Sequence, residues 1–293
     1  MGGSFLFIKI FNAYLDASFE FYIRRKNMTR KLGINCNCIT SNDPTETLSI
    51  IKNVGFDNFF AAPNDLRLCS ALKNKAEKLG LNFEFIHSPY KGVNELWLDG
   101  EEYRPLFDEI LQSIDCANEC DARIVIVHVS SGWNPPYVND LGISRYDKIV
   151  DYAEKKNVVV AFENIRKFGN LACLMDRYEN VKNVGFCYDC GHELCYTETV
   201  PFLDIYGTRT VCTHLHDNCG RSKIDPWQNN DQHLLPFDGV ADYKTMIEKM
   251  NKYGYSGALT LEIFNKSRPD YAEMSPENFI QTAFERLKKI SLL

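Results

Sequence analysis

Acidic and histidine side chains in this 293-residue sequence fall repeatedly at or just after the ends of short apolar runs. Glu163, Asp189 and Glu262 each end such a run, where a carboxylate is costly unless it is paired, hydrogen-bonded or bound to a cation. The six histidines end such runs or lie in the loops that follow them: His87, His128, His192, His214, His216 and His233. A single acid in this position more often caps a helix or pairs with arginine, but this many ligand-type residues predict a metal site.

The residue types narrow the choice of metal. Neutral imidazole together with carboxylate suits Zn, Mn, Co or Fe better than Ca, which prefers oxygen ligands. None of the candidate ligands is a cysteine, so a structural zinc cluster is disfavoured. We expect a divalent cation, with Mn, Zn and Co as the main candidates.

Eight short apolar runs alternate with amphipathic segments, and these runs are the predicted strands: Leu32–Ile39, Asn58–Ala61, Asn82–His87, Arg123–His128, Val158–Glu163, Val184–Asp189, Thr210–His216 and Ala258–Glu262. Parallel strands joined by helices give this pattern, and closing them into a ring gives an α/β fold, the (β/α)8 TIM barrel of ~250 residues. A doubly wound open sheet also alternates, but no glycine-rich phosphate loop follows the first run. Because strand ends converge on one rim of a barrel, the acids and histidines should meet there.

A single barrel domain is expected over residues 28–293, since no Pro/Gly/Ser-rich linker divides the chain. Asp43-Pro44 and Ser275-Pro276 predict helix starts, and Gly55 predicts a helix end. Residues 1–27 are predicted to be an N-terminal extension of uncertain status. They are too charged to span a membrane and lack the pattern of a signal peptide.

Composition excludes several classes of protein. With 45% hydrophobic and 25% charged residues the chain is globular rather than disordered. A net charge of −6 gives no general reason for nucleic-acid binding. The eleven scattered cysteines favour reduced thiols and a cytoplasmic location. Cys187 and Cys190 form a C-x-x-C, but Cys187 lies inside a strand-like run, which argues against redox chemistry.

The sequence resembles the xylose-isomerase-like barrel superfamily, which contains sugar and inosose isomerases and epimerases together with endonuclease IV. The resemblance covers about residues 30–290. The motifs that carry it are Ala161-Phe162-Glu163-Asn164, Tyr188-Asp189-Cys190-Gly191-His192, Thr213-His214-Leu215-His216-Asp217-Asn218, Asp231-Gln232-His233 and Leu259-Thr260-Leu261-Glu262-Ile263-Phe264. One departure is Phe237, because the family usually has glycine there.

In the isomerase and epimerase branch, the resemblance implies one divalent metal held by Glu163, Asp189, His214 and Glu262. A metal-dependent enzyme of this branch would act on a sugar, sugar phosphate or inosose through an enediolate. Glu163 and Glu262 would shuttle the proton as catalytic residues. Substrate contacts would come from three further residues: His87, His192 and Arg221. Loop aromatics would cover apolar sugar faces: Tyr90, Trp97, Trp133, Trp227 and Phe237.

In the endonuclease IV branch, the resemblance implies a multi-zinc phosphodiesterase that acts at abasic sites in DNA. The additional metal ligands would be His87, His128, His192, Asp231 and His233. The segment after Glu163-Asn164 does not resemble the endonuclease's glycine-rich stretch, and the tail from Leu261 looks like the inosose-isomerase type. We therefore favour a small carbohydrate as the binding partner and expect no association with a membrane. Nucleic acid would be a partner only under the endonuclease alternative. A homo-oligomer is compatible with this prediction. A barrel that only binds ligands is a third hypothesis, against which the intact ligand set argues.

Overall fold

Eight parallel strands form one sheet in the computed structural model, which describes residues 30–40, 42–62 and 65–293. The strands are β1 Leu32–Asn35, β2 Asn58–Ala61, β3 Asn82–His87, β4 Ile124–Val127, β5 Val159–Glu163, β6 Val184–Asp189, β7 Thr210–His214 and β8 Leu259–Leu261. Their order is β7-β6-β5-β4-β3-β2-β1-β8. The barrel comprises Lys31–Leu293. The predicted extension, residues 1–27, lies outside the described residues.

The ring closes between β7 and β8 through Leu215. This residue forms a parallel bridge with Leu261, and its backbone N–H donates to the Thr260 carbonyl over 2.8 Å. The backbone N–H of Glu262 donates in turn to the Leu215 carbonyl over 3.0 Å. The predicted (β/α)8 TIM barrel is therefore confirmed.

Helices follow every strand: α1 Pro44–Val54, α2 Leu66–Leu79, α3 Arg104–Cys120, α4 Asp140–Lys155, α5 Phe168–Arg177, α6 Cys190–Tyr196, α7 Phe202–Tyr206, α8 Tyr243–Lys252, α9 Pro269–Ala272 and α10 Pro276–Ser291. The Asp43 side chain caps α1 as predicted by accepting from the Thr45 backbone N–H, and Gly55 ends that helix at φ +119°. Ser275 caps α10 in the same way. In the described part of the chain, no helix is both long and apolar enough to cross a bilayer.

Strand bounds match the prediction for β2, β3 and β6, whereas the other five strands are shorter than predicted, β1 by the most. After Asn35 the chain turns, with the Cys38 N–H donating to the Asn35 carbonyl. After β7, Asp217 pairs with Leu234 of the following loop, which takes the chain away from the direction of the strand. The pattern of apolar residues alone does not show where these strands end.

A separate apolar cluster fills the interior of the barrel: Phe60, Phe85, Ile126, Ala161, Cys187 and Cys212. The larger core lies outside it, between the sheet and the helices. The Phe60 ring stacks 5.0 Å from the His214 ring. The interior cluster therefore forms the floor beneath the strand-end residues.

Cys69 of α2 and Cys120 at the end of α3 lie next to each other, with Cα atoms 6.7 Å apart. Packing of α2 against α3 brings together these two cysteines, which are 51 positions apart in the sequence. Cys187 and Cys190 are both free and buried.

Candidate metal centre and active site

Four predicted ligands meet at the carboxyl ends of the strands. Glu163 ends β5, Asp189 ends β6, His214 ends β7 and Glu262 follows β8. One ligand atom from each lies within 4.8 Å of the corresponding atoms of the others. His214 Nδ1 is 2.9 Å from Glu163 Oε1 and 3.4 Å from Glu262 Oε2. The barrel therefore gathers into one group the residues that the sequence assigned to the metal.

The chemistry of these side chains fits a divalent cation. Asp189 Oδ2 and His214 Nε2 are buried and have no hydrogen-bond partner among the described residues, which is costly without a further ligand. Burial by itself would lower the pKa of His214, but the charges of Glu262 and Glu163 raise that pKa to about 10. The group therefore strongly favours a positive charge. A divalent metal ion supplies that charge, and the carboxylates and the imidazole are suitable ligands for it.

A second group is formed by His87, His128 and Glu163. His128 Nε2 lies 2.8 Å and His87 Nε2 3.5 Å from Glu163 Oε2. The Nδ1 of His87 is 2.8 Å from the Ser88 carbonyl, so a proton on Nδ1 leaves Nε2 free as a ligand. Burial lowers the pKa of His128, which favours the neutral imidazole that metals bind. Glu163 is shared with the first group.

Asp231 and His233 form a third group in the loop after β7. His233 Nδ1 is hydrogen-bonded to the Glu262 carbonyl at 2.9 Å, which turns Nε2 toward Asp231 Oδ1 at 3.4 Å. His192, which the resemblance names as an additional metal ligand, lies 3.3 Å from Asp231 Oδ2 through its Nε2. The third residue whose ligand atom gathers with Asp231 and His233 within 4.8 Å is His216.

His216 is the member of this site to which sequence reasoning gave no role. Its fully buried ring stacks 4.0 Å from that of His233, and its Nε2 is 3.2 Å from Asp189 Oδ1. Gly191 makes room for it, since a Cβ at that position would collide with the His216 imidazole. The available signal was the spacing His214-Leu215-His216, because alternate residues of a strand share a face.

Arg221, a predicted substrate-binding residue, lies outside all three ligand groups. Its Nη1 is 3.4 Å from the Tyr196 carbonyl and 3.5 Å from Glu198 Oε2, and its guanidinium lies over the Trp133 ring. Tyr196 follows His192 on α6, with the two rings 5.4 Å apart. Arg221 is therefore placed at the edge of the site on the His192 side.

The loop aromatics divide into two kinds. Trp97 is fully buried and donates from Nε1 to the Val129 carbonyl, so it packs rather than faces a ligand. Tyr90 is half-exposed and stacks on His128 with ring centroids 4.5 Å apart. Phe237 is also half-exposed and has φ +73°, which agrees with the glycine usual at this position in the family.

Comparison with known proteins identifies the family of this chain. Residues 44–290 match the family described as the xylose isomerase-like TIM barrel, and the chain belongs to that family. It is 22% identical over 256 residues to the uncharacterized protein MJ1311 of Methanocaldococcus jannaschii, covering 79% of this chain and 83% of that protein.

Solved structures share the fold. A D-psicose 3-epimerase from Clostridium cellulolyticum H10, determined with D-tagatose, has a TM-score of 0.70 at 14% identity, covering 90% of this chain and 100% of the other. The 3-keto-D-glucoside 4-epimerase YcjR from E. coli has a TM-score of 0.65 at 14% identity, covering 89% of this chain and 99% of the other. At these identities the similarity establishes a common fold.

Proposed function

We propose that this protein is a metal-dependent isomerase or epimerase that acts on a small carbohydrate. The observation that carries the proposal is the four-residue group, in which two of the carboxylates, Glu163 and Glu262, come from strands three positions apart in the ring. Carboxylates on two sides of one pocket can reach two faces of a bound substrate. The names of the structural neighbours, a D-psicose 3-epimerase and a 3-keto-D-glucoside 4-epimerase, support the same class of reaction.

A bound divalent cation supplies Lewis-acid polarisation of a carbonyl group, and Glu163, Asp189, His214 and Glu262 would hold it. One of the two glutamates removes the proton from the carbon beside the carbonyl, and the other returns a proton to the opposite face or to the neighbouring carbon. His87 and His192, whose ring nitrogens face the acids, orient the hydroxyl groups. The apolar floor of the barrel excludes water from beneath the reacting carbons.

The test is deuterium incorporation at the carbon beside the carbonyl, followed by NMR in D2O over a panel of ketoses and inososes. The wild-type protein should exchange at least one of them. Glu163→Gln and Glu262→Gln should each lower that exchange at least ~100-fold, whereas Glu154→Gln, on the exposed face of α4, should not change it. Unchanged exchange in both active-site variants would reject the assigned roles.

Metal content must be measured on every variant, because both glutamates are also proposed ligands. A variant that keeps its metal and loses exchange supports a role in proton transfer. Metal-loaded wild-type protein that exchanges no member of the panel and binds none of them contradicts the proposal.

A second candidate function is phosphodiester hydrolysis at abasic sites by a multi-metal centre. The observation that favours it is the presence of three adjoining ligand groups around Glu163, Asp189 and Asp231. It predicts about three metal ions per chain and nicking of an abasic DNA duplex. One ion per chain with no nicking excludes it, and a metal-loaded barrel with neither activity supports the ligand-binding hypothesis.

A further inference from the structure

Two guanidinium groups lie against one indole ring at the edge of the proposed pocket. Arg166, between β5 and α5, has its guanidinium carbon 5.7 Å from the Trp133 ring centroid, and that of Arg221 is 5.4 Å away. Arg166 also lies 4.1 Å over the Tyr196 ring. The loops after β5 and β7 thus bring two positive charges to the same indole ring.

Among the described residues, the Arg166 guanidinium has neutral hydrogen-bond partners only. Its Nη2 donates to the Tyr196 hydroxyl at 2.5 Å and to Asn229 Oδ1 at 3.1 Å. Its Nε is buried and has no hydrogen-bond partner in the described part of the chain. No ion pair among the described residues includes it. A partly buried guanidinium without a carboxylate is unfavourable by itself, so its charge favours an anion that is not part of the protein.

Nearby acids do not neutralise the two arginines. Asp231, close to Tyr196, is faced by His192 and His233 at 3.3 and 3.4 Å. Glu198 is the ion-pair partner found for Arg221, at a long 3.5 Å and with both side chains partly exposed. Such an exposed pair contributes little.

The arginines adjoin the proposed substrate pocket. The Tyr196 ring, on which Arg166 lies, is 5.4 Å from the ring of His192. Trp133 is held in place by its Nε1, which donates to the Trp227 carbonyl at 3.2 Å. A substrate that contacts His192 would therefore extend toward Tyr196, Trp133 and the two guanidinium groups.

We propose that Arg166 and Arg221 bind an anionic substituent of the carbohydrate, a phosphate or a carboxylate, and so make Arg166 a specificity-determining residue. This proposal rests on the proposed isomerase or epimerase function. The planar fork of a guanidinium matches the oxygens of either anion and gives stronger hydrogen bonds than neutral donors do. The neutral sugars D-psicose and D-tagatose, named for one structural neighbour, carry no such group.

The experiment compares three hydroxamates that mimic the enediolate of a ketose: D-arabinonohydroxamate, its 5-phosphate, and the analogue with a terminal carboxylate. Calorimetry on the Mn-loaded protein measures each dissociation constant. We expect one anionic form to bind roughly tenfold to hundredfold more tightly than the neutral form. The anionic form that binds more tightly shows whether the substituent is a phosphate or a carboxylate.

Arg166→Met should remove most of this preference and leave binding of the neutral hydroxamate unchanged, which also shows that the variant is folded and metal-loaded. Arg221→Met should reduce the preference, and Arg166→Lys should retain part of it. Arg104→Met, exposed at the start of α3, is the matched control and should behave as wild type.

If the wild type binds all three hydroxamates equally and only when Mn is present, the arginine proposal is overturned. The proposed function would still stand in that case. An equal weakening of neutral and anionic forms in Arg166→Met and Arg166→Lys would mean that Arg166 is only structural, which also overturns it. If none of the three binds the Mn-loaded wild type, the arginine proposal fails, and the deuterium-exchange panel decides the proposed function separately.

Discussion

Asn164 and Asp189 are joined by two reciprocal hydrogen bonds of 2.8 Å. The side-chain amide of Asn164 donates to the Asp189 carbonyl, and the Asp189 backbone N–H donates to Asn164 Oδ1. The Asn164 carbonyl lies 2.8 Å from His192 Nδ1. One fully buried asparagine thus fixes the end of β6 relative to β5 and orients an imidazole of the site.

Replacing Asn164 by alanine should destabilise the protein by about 1–3 kcal/mol, because two buried backbone groups of Asp189 lose their partners. Urea unfolding measures this free energy. Metal affinity should fall as well, since Asp189 is a proposed ligand. Asn278→Ala, on the exposed face of α10, is the control and should change neither quantity. Equal stability of Asn164→Ala and wild type would show that the pair of hydrogen bonds contributes nothing.

Gly191→Ala should destabilise the protein by about 1–3 kcal/mol, because its methyl group would occupy the position of the His216 ring. Thermal unfolding and metal content are the measurements. The matched control is Gly169→Ala in α5, where an added methyl group meets nothing within 4 Å and alanine is the better helix former. A tolerated Gly191→Ala with unchanged metal content would contradict the placement of His216.

Removal of metal with a chelator should lower the stability of the folded state, because buried carboxylates would again face one another. At a free metal concentration 100 times the dissociation constant, the expected difference is about 2.7 kcal/mol. Unfolding followed with and without added Mn or Zn measures it. In His214→Ala the difference should shrink, whereas Glu154→Gln should retain it. If added metal does not change the free energy of unfolding of the wild type, the result argues against the metal centre.

Stability should also depend on Glu84, which lies on β3 and accepts a hydrogen bond from Thr260 Oγ1 at 2.6 Å. Burial raises the pKa of Glu84 from 4.5 to about 7, against the opposing effect of hydrogen bonds from Thr260 and Asn58. Between these values the folded state retains a proton that the unfolded state has released. The free energy of unfolding should therefore decrease as pH rises through this window, by up to ~1.4 kcal/mol per pH unit.

Urea unfolding at several pH values between 4.5 and 7 tests this prediction, with Glu84→Gln removing the contribution of Glu84 to the slope. The exposed control Glu154→Gln should leave the slope as in wild type. A slope that is the same in Glu84→Gln and wild type would show that Glu84 does not titrate as stated.

Much of the site follows from the sequence because its residues end strands. Glu163, Asp189 and His214 each come last in a buried strand, so ring closure alone places them together. Arg166 could not be assigned in this way. Its position depends on the path of the chain after β5 has ended, which no periodicity records. The Cys69–Cys120 pair likewise depends on how two helices pack.

The interior cluster of the barrel has a kinetic consequence. Phe60, Phe85 and Ile126 fill the space beneath the carboxylates and are buried, so a small molecule can reach the acids from the loop side only. Substrate and product would then use one opening in turn, and neither could enter while the other remained. Product inhibition should accordingly be competitive with substrate.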